Sequence, residues 1–250
     1  MNRRSALKGI LGAVLCPLCA KGGFAAEGAH WSYEGNTGPA KWGEIDNASR
    51  VCSVGVQQSP IDIKGSIDAK LPPLQFVWSK RAGTIVNNGH TIQLDFPEGN
   101  TLSIERQKYA LLQMHFHRPS EHMIGGKGYP MEVHFVHRSA AGSLAVVGIL
   151  MTAGKPNAAF NRIVQSMPQK KGHAAADPAI DPMALLPDRH SYYRYSGSLT
   201  TPPCSETVDW HLLIEPVSVA EADIAAFAKL YPMNARPVQP PHRRFLLKSG

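Results

Sequence analysis

The chain has 250 residues and a mass of 27.2 kDa, which suits one large domain better than two. Hydrophobic residues make up 43% of the sequence and charged residues 18%, so the chain can bury a sizeable core and is neither disordered nor fibrous. Its 22 glycines and 20 prolines favour a fold with many turns over a helical bundle.

A net charge of +7 and a pI near 9.3 raise the question of nucleic-acid binding. Four basic residues and no acid lie among the first 26 positions, so the remainder carries 22 basic and 19 acidic side chains, a net charge of +3. That remainder has no run of Lys or Arg longer than two residues, and therefore lacks the basic stripe that follows a phosphate backbone. We expect no nucleic-acid partner.

The first 26 residues have the three-part organisation of a secretory signal. Arg3 and Arg4 open it, an apolar stretch covers Ile10–Ala20, and small residues ending in Ala25-Ala26 offer a cleavage site. The apolar stretch has about half of the ~20 residues that a membrane-spanning helix needs, so we expect no stable membrane insertion. The sequence predicts a signal peptide over residues 1–26, of the twin-arginine or the general secretory type, and a periplasmic or secreted protein.

After the leader, eight segments alternate apolar and polar residues with a period of two and end at Gly, Pro or Asn, as strands of a half-buried sheet do. They are Thr84–Val86, Thr91–Phe96, Thr101–Ile104, Tyr109–His117, Met131–Arg138, Leu144–Met151, Tyr192–Tyr195 and Thr207–Ile214. This pattern predicts a mostly β fold with short helices, in which a single domain is built on a large, largely antiparallel central β-sheet.

Two segments have the spacing of short helices. One covers Asn157–Met167 between two prolines; the other starts at Ser218, where Glu221 would complete a capping box, and runs to Leu230. The proline-rich stretch Pro168–Pro187 is predicted to be an irregular connection.

Two cysteines, Cys52 and Cys204, remain after the predicted leader. In an oxidising compartment such a pair usually forms a disulfide, and two separate buried thiols are the alternative. We expect the disulfide.

Three of the eleven histidines form a pattern. His115 and His117 are two residues apart in a predicted strand and so point to one face, and His134 lies in another predicted strand. If these strands are neighbours, the three imidazoles can converge on one metal ion. Three histidines without a fourth protein ligand are typical of a catalytic zinc, although imidazole also suits copper and nickel. Taken alone, a His-x-His pair is more often a chance pair on a half-buried strand.

Polar neighbours at matching positions favour the metal site. Gln113 precedes His115 by two residues and Glu132 precedes His134 by two, so each lies on the same strand face as its histidine. A metal-bound imidazole needs an acceptor for its other ring nitrogen, and a polar group on an apolar face is costly unless it is hydrogen-bonded. The His-Glu-x-x-His motif is absent, which argues against a zinc protease.

The motifs, taken in order, resemble those of the α-class carbonic anhydrases of the bacterial, exported type. The segments that carry the resemblance are Gln57–Ile63, Asn87–His90, Gln113–His122, Glu132–His137, Gly197–Pro203, Trp210 and Asn234–Pro237. The resemblance runs from about His30 to the C-terminus. It implies one α-carbonic anhydrase domain over residues 27–250 and the reversible hydration of carbon dioxide to bicarbonate and a proton, by attack of zinc-bound hydroxide.

The resemblance also implies a set of metal ligands and their supports. The Zn²⁺ ligands would be His115, His117 and His134. The acceptors for their remaining ring nitrogens would be Gln113, Glu132 and, through its backbone carbonyl, Asn234.

Two further residues would orient the nucleophile. Thr200 is similar to a threonine that accepts a hydrogen bond from zinc hydroxide, and Glu121 to a glutamate that accepts the threonine hydroxyl proton. Without the motif, Thr200 would be interpreted as a turn residue ahead of two prolines.

The cleft of the resembled family has a dry wall for apolar CO₂ and a wet side. The corresponding wall residues are Val136, Leu144, Val146, Leu199, Thr201, Val208 and Trp210, although periodicity alone would make them ordinary core. The wet-side residues are Tyr33, Asn88, Gln93 and His90. His90 is similar to the histidine that carries the reaction's proton to solvent, and the alternative is an exposed histidine at the start of a strand.

The sequence therefore predicts an exported zinc lyase that acts on CO₂ and bicarbonate as a monomer or a homodimer. Two alternatives share the same motifs. One is a zinc-bearing binding or surface-recognition protein on the same fold, and the other is a zinc esterase that acts on an organic ester.

Overall fold

The computed structural model describes residues 30–250, so the predicted signal peptide lies outside the described residues and stays a prediction. Within that range the α-helices are α1 (Val51–Val54), α2 (Ala158–Ser166) and α3 (Glu221–Leu230). The strands are β1 (Asp62–Ile63), β2 (Ile67–Ala69), β3 (Leu74–Val77), β4 (Thr84–Asn87), β5 (Ile92–Asp95), β6 (Thr101–Ile104), β7 (Gln107–His117), β8 (Met123–Ile124), β9 (Met131–Ser139), β10 (Leu144–Ala153), β11 (Gly172–Ala175), β12 (Tyr192–Gly197), β13 (Val208–Leu213), β14 (Val217–Val219) and β15 (Leu247–Ser249).

One large mixed sheet dominates the fold, and residues Trp31–Gly250 form one unit around it. Its strand order is β11-β4-β5-β7-β9-β10-β13-β12-β15-β2, with β14 beside β10 and the β3–β6 pair beside β7. Most neighbours are antiparallel, whereas β10 pairs with β13 and β14, and β15 with β2, in the parallel direction. The predicted mostly β, largely antiparallel fold is confirmed. No helix in this part of the chain is both long and apolar enough to span a membrane.

All eight predicted strands are present, and the sequence pattern missed mainly short ones. The missed strand β11 lies in the stretch Pro168–Pro187, which was predicted to be irregular and also contains a 3₁₀ turn at Pro182–Leu185. All four residues of β11 are exposed, so the strand has no apolar alternation by which the sequence could reveal it.

The two predicted helices differ in how well their starts were placed. Asn157 caps α2, where its side chain accepts a hydrogen bond from the Phe160 N–H at 3.1 Å. The predicted capping box of α3 is wrong, because Ser218 belongs to β14 and pairs with Thr152 of β10. The sheet thus continues to Val219, and α3 begins at Glu221 without a side-chain cap.

The two faces of the sheet are used differently. Alternate residues of β7, β9 and β10, such as Phe116, Phe135 and Ile149, point into the main hydrophobic core that α2 and α3 cover. The intervening residues, such as His134 and Val146, point to the opposite face, where a smaller apolar cluster lies. The candidate site therefore rests on a rigid sheet with a full core behind it.

Two buried histidines, His137 and His211, occupy the core face. Burial lowers the pKa of His137 to about 3 and that of His211 to about 4, the latter despite the opposing charge of Asp209. Both rings are therefore neutral in the folded chain near neutral pH.

A His211→Leu variant is expected to lose part of the acid sensitivity of folding. An unfolded histidine has a pKa near 6.5, so between about pH 6.5 and 4 the unfolded chain binds a proton that folded His211 refuses. The free energy of unfolding is therefore unaffected by the titration of His211 above about pH 6.5, and it falls by about 3 kcal/mol as the pH is lowered from 6.5 to 4. Urea unfolding over this pH range should give a shallower decline for the variant, and exposed His173→Leu is the control. Identical pH profiles for His211→Leu and the unmodified protein would contradict this account.

A disulfide joins Cys52 of α1 to Cys204 in the loop after β12, as predicted, across 152 positions of the chain. Both cysteines are buried beside Tyr33 and Trp42. The bridge thus ties the segment before the first strand to a loop that borders the candidate site.

Replacing both cysteines with alanine is expected to lower the melting temperature. Closing a loop of this length restricts the unfolded chain by at most about 5 kcal/mol in the chain-entropy estimate. Calorimetry of the double variant and of the unmodified protein, with and without reductant, measures the difference. Only the unmodified protein should respond to reductant, and an equal response would show that the bridge is not the cause.

Candidate metal centre

Three histidines converge on the open face of the sheet. Strands β7 and β9 are antiparallel neighbours, in which His115 lies opposite His134, and His117 points to the same face two residues further on. A register shift between Leu111 and Gln113 precedes this region and leaves the pairing beyond it regular. One ring nitrogen from each of the three histidines lies within 4.8 Å of the other two.

Each histidine is fixed through one ring nitrogen, which leaves the other ring nitrogen outside that bond. The three bonds, each of 2.8 Å, join His115 Nδ1 to Gln113 Oε1, His117 Nδ1 to the Asn234 carbonyl, and His134 Nε2 to Glu132 Oε1. Because all three partners are acceptors, the bonded nitrogens carry the protons. The free positions are therefore unprotonated Nε2 of His115 and His117 and Nδ1 of His134.

The protonation state suits a metal. Burial lowers the pKa of His115 and His134 and brings that of His117 to about 4, so the imidazoles are neutral. The buried Nε2 of His117 has no hydrogen-bond partner within residues 30–250. An unpartnered buried nitrogen is costly unless something binds there, and three neutral imidazoles are a zinc-type donor set.

Glu132 anchors this arrangement. Its Oε1 accepts from His134 Nε2 and from His122 Nδ1 at 2.7 Å, and its Oε2 accepts the backbone N–H groups of Glu121 and His122 at 2.9 and 2.8 Å. Burial alone would raise the pKa of Glu132, but the two histidines hold it well below its usual range. His122, Glu132 and His134 could also be grouped as metal ligands, but the Glu132 oxygens are already engaged in these bonds.

Glu121 and Thr200 lie beside the histidines. Glu121 is fully buried, its Oε1 accepts the backbone N–H of Arg236 at 2.8 Å and lies 3.5 Å from His117 Nδ1, and burial raises its pKa to about 7. The Thr200 hydroxyl approaches closely enough to lower that pKa, while Glu121 Oε2 makes no hydrogen bond of ordinary geometry within the described residues. The structure thus brings the two residues together without a fully formed bond between them.

The predicted wall residues gather on the same face of the sheet. Val146, Val208 and Trp210 are buried in the smaller apolar cluster, and Val136, Leu144 and Leu199 pack against it. The Trp210 ring centre lies 4.8 Å from that of His134. Thr201 is half-buried in the next loop, where its carbonyl accepts the Cys204 N–H at 2.9 Å. An apolar surface therefore borders the candidate metal position directly.

The predicted wet-side residues lie on the other flank. His90 is half-buried and stacks on Trp31, with ring centres 3.8 Å apart and planes within 7°. The Asn88 side chain accepts the N–H groups of His90 and Thr91, each at 2.9 Å. Gln93 lies opposite His115 on β5 and donates to Asp95 at 2.7 Å, and the buried Tyr33 ring lies 6.5 Å from His90.

Three residues of the site were missed by sequence reasoning. Trp31 supports the His90 ring, Tyr195 extends the Glu132 network through a 2.6 Å bond to His122 Nε2, and Arg236 holds Glu121. The Arg236 guanidinium is buried, donates to Gln58, Ser59 and Cys52, and keeps its charge because burial lowers its pKa only to about 10. The sequence signal for Arg236 is its place in the segment Asn234–Pro237, which carries part of the family resemblance, since its contacts are distant in sequence.

A sequence model described as eukaryotic-type carbonic anhydrase matches residues 37–250. The chain belongs to this family. Membership makes the chain an enzyme and supports CO₂ hydration as the reaction of this carbonic anhydrase.

Similar proteins agree with the carbonic anhydrase assignment. A carbonic anhydrase from Pectobacterium carotovorum is 38% identical over 96% of this chain and 100% of its own length. One from Neisseria gonorrhoeae is 40% identical, covering 95% of this chain and 96% of the relative. The solved structure of the α-carbonic anhydrase from Thermovibrio ammonificans, in complex with the inhibitor sulfanilamide, has 41% identity and a TM-score of 0.85, covering 88% of this chain and 100% of that one.

Proposed function

We propose that this carbonic anhydrase catalyses the reversible hydration of CO₂ with a zinc ion held by His115, His117 and His134. The observation that carries the proposal is the arrangement of the ligand atoms. Each ring is fixed through one nitrogen by an acceptor, and one ring nitrogen from each of the three histidines lies within 4.8 Å of the other two. Three protein ligands leave a position open for chemistry, as in catalytic rather than structural zinc sites.

Zinc bound in this way supplies a nucleophile at neutral pH, because it lowers the pKa of water to about 7, an effect for which carbonic anhydrase is itself the standard example. The protein's part is to hold three neutral donors in place. Gln113, Glu132 and Asn234 do so by fixing the tautomer and the orientation of each ring.

Thr200 and Glu121 orient the nucleophile. With Glu121 Oε1 held by the Arg236 N–H, the other carboxylate oxygen would accept a hydrogen bond from the Thr200 hydroxyl after a small adjustment of the two side chains. The Thr200 oxygen would then be left as an acceptor only, so it would fix the orientation of a metal-bound nucleophile that donates to it.

The apolar cluster receives CO₂. The substrate is uncharged and apolar, so it binds to a dry surface without ionic partners. Val146, Val208 and Trp210 provide such a surface beside His134, with Val136, Leu144 and Leu199 at its edge and Thr201 in the adjoining loop. Bicarbonate leaves by the wetter flank.

His90 carries the proton of each turnover to solvent. Imidazole titrates near neutral pH, and the half-buried His90 ring is held by its stacking on Trp31 on the flank where Tyr33, Asn88 and Gln93 lie.

Replacing His90 with alanine is expected to lower kcat in weak buffer by about tenfold or more and to leave kcat/KM almost unchanged, because the proposed role is to remove the proton after the attack on CO₂. A small imidazole buffer should restore much of kcat. Exposed His173, on the adjacent strand β11, is the matched control, and its alanine variant should behave as the unmodified protein. A parallel fall in kcat/KM, or no rescue by imidazole, would remove His90 from this role.

The proposed function is tested by a CO₂ hydration assay on purified protein that has been stripped by chelation and reloaded with zinc. Enzymatic hydration, with kcat/KM of about 10⁴ M⁻¹s⁻¹ or more, should require the metal. Hydration at the buffer rate would reject the proposal. Ester hydrolysis in the absence of CO₂ hydration would favour the esterase alternative. The absence of both activities would favour a binding protein.

The compartment and the assembly belong to the same proposal. A buried disulfide suits an oxidising compartment, which supports export to the periplasm or the medium after cleavage of residues 1–26. We propose a monomer or a homodimer with CO₂ and bicarbonate as its ligands.

A further inference from the structure

One buried residue, Asn234, connects the ligand strand to the turn that carries His90. It lies four residues beyond the end of α3 and is 1% exposed. Its backbone N–H donates to the Arg118 carbonyl at 2.8 Å, and its carbonyl accepts from His117 Nδ1. The main chain of Asn234 is thereby fixed against the end of β7.

The side-chain amide of Asn234 makes three further bonds. Its Nδ2 donates to the carbonyls of His90 and Phe116, each at 2.9 Å, and its Oδ1 accepts the Arg118 N–H at 2.7 Å. Both amide hydrogens and the amide oxygen are thus used. A single planar group therefore sets the position of the His90 backbone relative to the strand that carries His117.

The same segment also supports the rest of the turn. The Tyr231 hydroxyl donates to Asn87 Oδ1 at 2.5 Å and lies 3.3 Å from the Thr91 carbonyl. Gly89, at the tip, has a φ of 90°, a conformation that a residue with a side chain rarely adopts. The turn is thus shaped locally but attached to the protein through the segment Tyr231–Asn234.

We propose that Asn234 is a positioning residue. Its side-chain amide fixes the His90 turn against the metal ligand His117 and thereby sets the path of the outgoing proton. The inference rests on the proposed function, because it assigns a task relative to His90 and to the metal. The rate of proton transfer depends steeply on the placement of donor and acceptor. One amide group that bonds both the His90 backbone and the end of β7 fixes the placement of His90 relative to His117.

The test compares Asn234→Asp with Asn100→Asp. Aspartate keeps the acceptor for the Arg118 N–H but places an oxygen against the two carbonyls that Nδ2 now serves. Asn100 is a matched control, since it is also fully buried and its amide bonds the N–H and the carbonyl of Lys80, each at 2.8 Å, with no contact to the site. Each variant keeps its accepted bond and loses donated ones, two at Asn234 and one at Asn100, so Asn100→Asp controls for a buried carboxylate away from the site.

We expect Asn234→Asp to lower kcat in weak buffer about tenfold, with partial rescue by imidazole, and to weaken zinc binding about tenfold in chelator competition, as loss of support for a ligand does. In a His90→Ala background the kcat effect should disappear, while the effect on zinc binding should remain. Asn100→Asp should lower the melting temperature without moving either quantity. Equal kcat and zinc affinity in Asn234→Asp and Asn100→Asp would overturn the inference.

Failure of the proposed function has a different signature. In that case the unmodified, zinc-loaded protein lacks hydration, or His90→Ala shows no loss that imidazole can rescue. If Asn234→Asp does not fold, Asn234→Ala removes the same donors without adding a carboxylate, and the same comparisons apply. Should neither fold, NMR of the unmodified protein decides. Hydrogen-bond couplings from Asn234 Nδ2 to the His90 and Phe116 carbonyls support the inference, and rapid solvent exchange of those amide hydrogens overturns it.

Discussion

Replacing His134 with alanine is expected to abolish CO₂ hydration and to weaken zinc binding by at least about 100-fold, while the fold survives. Zinc sites with four protein ligands bind with about 10–16 kcal/mol, so one ligand contributes on the order of 3 kcal/mol, or about two powers of ten in affinity. The sheet has its own core behind the site and needs no metal to form, unlike a zinc finger. Glu132 keeps three of its four hydrogen bonds in the variant, so the buried carboxylate stays paired.

The measurements are zinc content after dialysis, hydration rate and far-UV circular dichroism, and His115→Ala and His117→Ala should behave in the same way. The matched control is His211→Leu, which changes an equally buried histidine on the opposite face of the sheet and should keep both metal and activity. Normal zinc content and activity in any one of the three alanine variants would exclude that residue from the ligand set.

Replacing Thr200 with valine is expected to lower kcat/KM by about 100-fold with zinc content unchanged. Valine has nearly the same shape, so the buried position stays filled and only the hydroxyl is lost. Without it the nucleophile has no group to fix its orientation, and misplacement of a reacting group by about 1 Å can reduce rates by this factor. Stopped-flow hydration and metal analysis on the same preparation separate orientation from metal loss.

The conservative change Thr200→Ser keeps the hydroxyl and should retain most of kcat/KM. Glu121→Gln should resemble Thr200→Val, and the double variant should lose no more than either single one, because the two residues act as a unit. Multiplicative losses in the double variant would show that Glu121 acts separately from Thr200.

Local pattern predicted the elements well wherever a strand has one buried face. Strands β7 and β9 alternate strongly, so the placement of Gln113 beside His115 and of Glu132 beside His134 followed from the period of two. Reliance on local pattern also explains the wrong capping box at Ser218. A capping motif is a local signal, and the pairing of β14 with β10, which no local pattern encodes, overrode it.

The parts of the site that escaped prediction are contacts between distant positions. Trp31 stacks on His90, and the Arg236 guanidinium reaches Cys52, 184 positions away. Such contacts depend on how the whole sheet folds, and a tryptophan or an arginine carries no periodic mark of its partner. The resemblance to a known family supplied the residues of the site, and the structure supplied the bonds between them.

The separation of ligand and support along the chain has a consequence for the order of events during synthesis. His115, His117 and His134 leave the ribosome close together, on strands that pair with each other. The carbonyl that fixes His117 follows 117 positions later, which at ordinary elongation rates is on the order of ten seconds. During that interval the His117 ring has no partner to select its tautomer. The set of three supported imidazoles is therefore complete only after Asn234 has joined the chain and packed against the end of β7.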